Sequence, residues 1–235
     1  MDFERMLGYC AALELHNERG WFHENHKWYE GAKDDFTALV DELKYTIVDH
    51  SDAALVEQLV FAQPKAMLYR IPRDVRVHRH APPYNPSFRA YFSPDKRALL
   101  PVSYYLSIQP GGRSHFGTGL WTGGDRERLF EAREYLRDHF DAFLDALDVS
   151  GCALFDEPDS KLKNVPRGFD PEDPAAEYLK YKEWYILRHF ADAELRDFDG
   201  FCGQIAETVE RMEPFRRFCA AALTGGLIPR WDSRG

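Results

Sequence analysis

The stretch VSYYLSIQPGGRSHFGTGLW, residues 102–121, decides how the rest of the chain is read. Val102, Tyr104, Leu106 and Ile108 alternate with Ser103, Tyr105, Ser107 and Gln109. A period of two places the first set on one face of a strand and the second set on the other. Pro110-Gly111-Gly112 ends the run, and the segment that returns through Gly117-Thr118-Gly119 predicts an antiparallel hairpin over residues 102–121. The glycines there suit close packing across a hairpin, with Trp121 as core or cleft wall. Shorter strands are expected at 66–71, 88–92 and 184–190.

Working outward, the period lengthens on both sides. Phe3, Leu7, Cys10 and Leu13 recur at helical spacing. After the polar HNERG break a second helix runs through Tyr29, Ala32, Phe36, Val40, Leu43 and Ile47. A short helix over 52–60 would be capped by Ser51 or Asp52. Residues 125–147 read as helical with a break near His139, and Asp173-Pro174 reads as a cap followed by proline at the first helical position. Phe201, Ile205, Val209, Met212, Phe215 and Cys219 mark a last long helix. The expectation is one α+β domain over 1–224, an antiparallel sheet packed by helices from the N- and C-terminal parts of the chain, followed by an arm at 225–235.

With 235 residues, 44% hydrophobic and 14% aromatic, the chain has material for a substantial core. A net charge of -9 argues against coating nucleic acid or an anionic membrane, since those surfaces select for spread positive charge. Cys10, Cys152, Cys202 and Cys219 form no CxxC pair, so reduced thiols in a cytoplasm are expected rather than a disulfide or zinc framework. The opening MDFERMLGYC has no basic segment followed by an apolar run, and no apolar stretch reaches the roughly 18 residues a membrane helix needs.

Several blocks in order carry a resemblance: NERGWFHENHKWYE, then YRIPRDVR with PPYNPSFRAYF, then SYYLSIQPGG with GTGLW, then KNVPRGFDPEDPAAEYLKYKEW. Together they resemble the bacterial proteins grouped as domain-of-unknown-function family 2461, over roughly residues 3–190. The resemblance implies no activity. Where that family has a phenylalanine, a serine and a lysine before a Pro-Tyr pair, this chain has VHRHAPPYNP, with Val77, His78 and Ala81, and Arg79 as a charge in that region.

The candidate site begins at YRIPRDVR, where Arg70, Arg73 and Arg76 recur in an acidic chain. Pro72 marks a strand end or bend, beyond which the guanidinium groups can converge. Planar guanidinium forks suit carboxylates and phosphates. SKLKNVPRGFD adds Lys161, Lys163 and Arg167, with Gly168 free to take a positive φ. If the two loops line one cleft, they would bind a small phosphorylated or carboxylated molecule, with Tyr84 or Trp121 as an apolar wall. Should a reaction follow, Asp74 or His78 is the candidate acid or base.

The same arginines can instead form an internal ion-pair lattice with Asp74, Asp95 or glutamates of the opening helices. Function would then be that of a protein-interaction module, docking through exposed aromatics and the tail around Trp231. No cofactor is expected, the phosphate-binding GxxxxGK[ST] being absent, and with no GxSxG elbow nucleophilic catalysis finds little support. No metal is expected either, because HExxH is absent and the pairs His23/His26 and His78/His80 offer too few ligands. Trp21, Phe22, Trp28 and Tyr29 read as an amphipathic helix face packed on the sheet.

Overall fold

A computed structural model of the chain describes residues 1–74, 81–96, 100 and 102–226. The sheet has four strands in the order β1-β2-β3-β4, all neighbours antiparallel: β1 Phe88–Tyr91, β2 Tyr104–Ile108, β3 Ser114–Leu120 and β4 Trp184–Phe190. The expected hairpin is β2–β3, and its tip carries Gly111 and Gly112 at φ 76° and 70°, which side chains beyond glycine rarely adopt. The fold is mixed α+β, with the sheet packed by helices from both ends of the chain.

The helices follow from local chemistry. Asp2 accepts the Arg5 N–H at 2.8 Å and so caps α1, Phe3–Leu15. The aromatic block does not form one helix. It divides into α2, Arg19–Glu24, and α3, His26–His50, because Asn25 leaves helical geometry and its side chain turns back to the Trp21 carbonyl at 2.9 Å. Of the two proposed caps for α4, Ala53–Leu59, Asp52 serves, accepting from Leu55 N at 3.0 Å.

The strand expected at 66–71 is not formed. Pro64 instead opens the single turn α5, Pro64–Met67, where its missing N–H costs nothing, and only isolated bridges pair Leu68 with Ala90 and Pro72 with Tyr84. Residues 125–147 do split at His139, into α6, Arg126–Asp138, and α7, Phe140–Ser150. Asp173 accepts from Ala175 N at 2.8 Å just ahead of the one-turn α8, Ala176–Leu179. The long terminal helix is α9, Phe198–Thr224. None of the described helices is long and apolar enough to cross a membrane.

One face of the sheet is closed. Ala90, Leu106, Phe116, Trp184 and Ile186 are fully buried there, α9 packs on β3 and β4, and α3 packs on β1 and α9. This layer contains Arg216 of α9, 1% exposed. Its guanidinium donates to the Val102 carbonyl at 2.8 Å, to Asp52 at 2.5 Å and to both oxygens of Glu213 at 2.7 Å. Glu213 also accepts the Tyr104 hydroxyl at 2.7 Å and the Asp52 N–H at 3.1 Å. One buried charge thus joins α9, the start of α4 and β2. An ion-pair lattice exists, centred on an arginine the sequence did not single out.

Candidate functional site

The other face of the sheet is open, and the strand register says what lies on it. Tyr91, Tyr105, Gly117 and Leu187 are successive partners across the four strands. Arg89, Ser107, His115 and His189 form the row on one side, and Gly119 with Tyr185 the row on the other. A Cβ on Gly117 would sit 2.2 Å from the Ile186 carbonyl oxygen, and one on Gly119 2.0 Å from that of Trp184. Glycine is therefore required at both positions by the close approach of β4, the strand beyond the hairpin. Both glycines form part of the floor of the open face.

Short segments extend the sheet at both edges and wall that floor. Tyr69 N donates to the Arg89 carbonyl at 2.8 Å beside β1, and Phe155 N donates to the Tyr185 carbonyl at 2.7 Å beside β4. Trp121, 44% exposed, stands where β3 ends. The result is a hollow of about 360 Å³ whose lining is mainly aromatic, from Tyr69 and Tyr91 to Tyr185 and Phe155. That volume lies within the range of small-molecule sites, roughly 300–1,000 Å³.

Its charges are few and lie at opposite ends. On the β1 side Lys96 donates to the carbonyls of Ala66 and Leu68, the latter at 2.9 Å, with its ammonium 5.7 Å from the centre of the Tyr69 ring. Burial, and then the nearby charge of Arg70, lower the Lys96 pKa. The Arg89 guanidinium lies 5.5 Å from the same Tyr69 ring, and its buried Nε has no partner among the described residues. Of these three cations Lys96 lines the hollow, and Arg70 and Arg89 stand beside it without lining it; together they make a cationic rim.

On the β4 side stands Glu183. Burial raises its pKa, opposed in part by a hydrogen bond with Tyr185, and it forms no ion pair with any described residue. Burial likewise pushes the Tyr91 phenol up to about 12 and raises Tyr105 and Tyr185. His115 keeps its Nδ1 3.0 Å from the Arg113 carbonyl, which directs that nitrogen to donate and leaves Nε2 as acceptor. Burial lowers the His115 pKa, against the pull of that carbonyl.

Of the residues expected from sequence, Trp121 lines the hollow, and Arg70 does not line it but is near enough to Lys96 for its charge to act there. Arg73 donates through Nε to the Tyr84 carbonyl at 3.2 Å and through its N–H to Pro83 O at 2.9 Å, fastening its segment to the chain beyond. Tyr84 is 6% exposed, its ring stacked on Phe22 at 4.3 Å, with Asn17 holding its backbone at both N–H and C=O, each at 3.0 Å. Asp74 is exposed. Lys163 and Arg167 are exposed on the segment before α8, where Gly168, at φ 96°, and Phe169 pack on Phe130 of α6. Neither lines the hollow. Arg76, His78, Arg79 and most of the arm at 225–235, including Trp231, lie outside the described residues.

Sequence reasoning missed Tyr91, Tyr105, Lys96, Glu183 and Tyr185. The available signal was in the opening hairpin itself: a strand face that should have been polar carries a tyrosine, and its partner strand carries two glycines.

The fold and hollow define an α+β protein with one helix-covered sheet face and one aromatic, solvent-reachable face. The chain belongs to the family of conserved hypothetical proteins DUF2461, whose model matches residues 5–218. No curated protein and no solved structure matches it.

Proposed function

We propose that this protein binds a small molecule with a flat, apolar body and a carboxylate or phosphate group in the hollow on the open sheet face. The body lies on the tyrosines and the glycine floor, and the anionic end meets Arg70, Lys96 and Arg89. The observation that carries this reading is the aromatic hollow with a cationic rim. Aromatic surface supplies apolar area at low entropic cost, and cations in a partly desolvated setting attract an anion more strongly than they would in water.

The test is thermal unfolding with phenyl phosphate or 4-propylbenzoate, and with inorganic phosphate as control. At 100 times Kd a ligand stabilises by about 2.7 kcal/mol, on the order of 5–10 °C for a domain of this size. The aromatic anions should raise Tm, and Tyr105→Ala and Lys96→Ala should abolish the rise. A rise with inorganic phosphate alone, no rise with any probe, or a rise that survives Tyr105→Ala overturns the reading. Arg73→Ala in the same series separates a fastening role, which lowers the unliganded Tm, from a binding role, which removes only the shift.

A further inference from the structure

The hollow is polar at both ends, and the two ends differ in sign. Lys96, with Arg70 and Arg89 beside it, stands at the β1 edge, whereas Glu183 stands at the β4 edge. Across four strands that separation is three inter-strand spacings, on the order of 14 Å before side chains reach inward. Leu120 pairs with Trp184, so continuing the register sets Trp121 opposite Glu183 on the face that also carries Gly119 and Tyr185. Phe155 flanks Tyr185 from the other side. One carboxylate therefore sits among Trp121, Tyr185 and Phe155, with no cation from the described residues paired to it.

A half-buried carboxylate without a counter-charge is costly unless something supplies one. Rings facing such a group favour cations, through the negative faces of their π-systems. An organic ammonium satisfies both. It would draw on the carboxylate and on the aromatic faces at once, and its charge would offset the desolvation that raises the Glu183 pKa.

We infer that the ligand is dipolar: its far end carries an organic ammonium, received by Glu183 and the faces of Trp121, Tyr185 and Phe155, while its anionic end meets the cationic rim. This rests on the small-molecule reading above and narrows its chemical class to flat molecules bearing an amine at one end and an acid at the other. Glu183 selects for the charge of that far end.

Two probes of one shape test it: 4-(2-aminoethyl)benzoate, which ends in an ammonium at pH 7.5, and 4-propylbenzoate, which ends in a methyl group. By titration calorimetry the wild-type chain should bind the amine at least tenfold more tightly. Glu183→Gln should bring the ratio close to one while leaving 4-propylbenzoate binding within about twofold, and Trp121→Leu should lower the ratio in part. Equal binding of the two probes, or a preference that survives Glu183→Gln, overturns the dipolar inference and leaves the aromatic-anion site standing. Absence of binding by either probe removes both.

Discussion

The two faces of this one sheet are made by alternate residues of the same strands, yet they do different work. On the covered face Tyr104, Leu106, Phe116 and Ile186 are buried, and Arg216, the most deeply buried charge among the described residues, is bonded to carboxylates and a carbonyl. On the open face Tyr91, Tyr105 and Tyr185 keep partial exposure, and Glu183 lacks an ionic partner among the described residues. Satisfied groups hold a fold together. A carboxylate with no counter-charge, set in a hollow, is what a ligand can complete.

The sharpest way to break this contrast is Arg216→Ala, which strands Glu213 and Asp52 in the covered layer. Urea unfolding should show a loss of about 3–5 kcal/mol. A loss within experimental error would mean that the network is solvated and that the two faces are not energetically distinct.

Adjacent residues sharpen it further. Leu106→Ala removes a fully buried side chain and should cost about 2–5 kcal/mol. Tyr105→Ala, one position earlier on the open face, should cost on the order of 1 kcal/mol, with its main effect on ligand binding. Equal losses by denaturant titration would contradict the assignment of the faces.

The smallest effect is in pH dependence. Burial holds the folded Glu183 pKa above the ordinary 4.5, so the folded chain binds the more protons there, and this group's contribution to stability falls as pH rises through that window. His115 acts in the opposite sense: its folded pKa lies below 6.5, so its contribution is full above that value and falls as pH drops through it. Glu183→Gln should flatten the first slope and His115→Asn the second in unfolding curves taken from pH 4 to 8, both endpoints chosen around these values. A Glu183→Gln curve superimposable on that of the wild type would show that this carboxyl is not desolvated.

Much of the fold was legible because its signals are local. The alternation at 102–109, the Pro-Gly-Gly stop, the steps of three and four through 201–219 and the break at His139 all depend on neighbours in sequence, and each corresponds to an element of the structure. The segment at 66–71 failed because two readings compete there, and Pro64 settled it by opening a helical turn. Of the residues that line the hollow, sequence reading singled out Trp121 alone. The others come from residues far apart in the chain, such as Tyr69, Lys96, Tyr105 and Glu183.

By itself, then, the sequence determined the α+β class, the hairpin, the helical ends and membership of the DUF2461 family. Periodicity encodes which side of an element is apolar, and that is a property of one segment at a time. Which side meets a helix, and which charges meet each other across strands, is set by register and layer packing. Only the tertiary structure could bury Arg216 under one face and bring Glu183 and Trp121 into the lining of one hollow on the other.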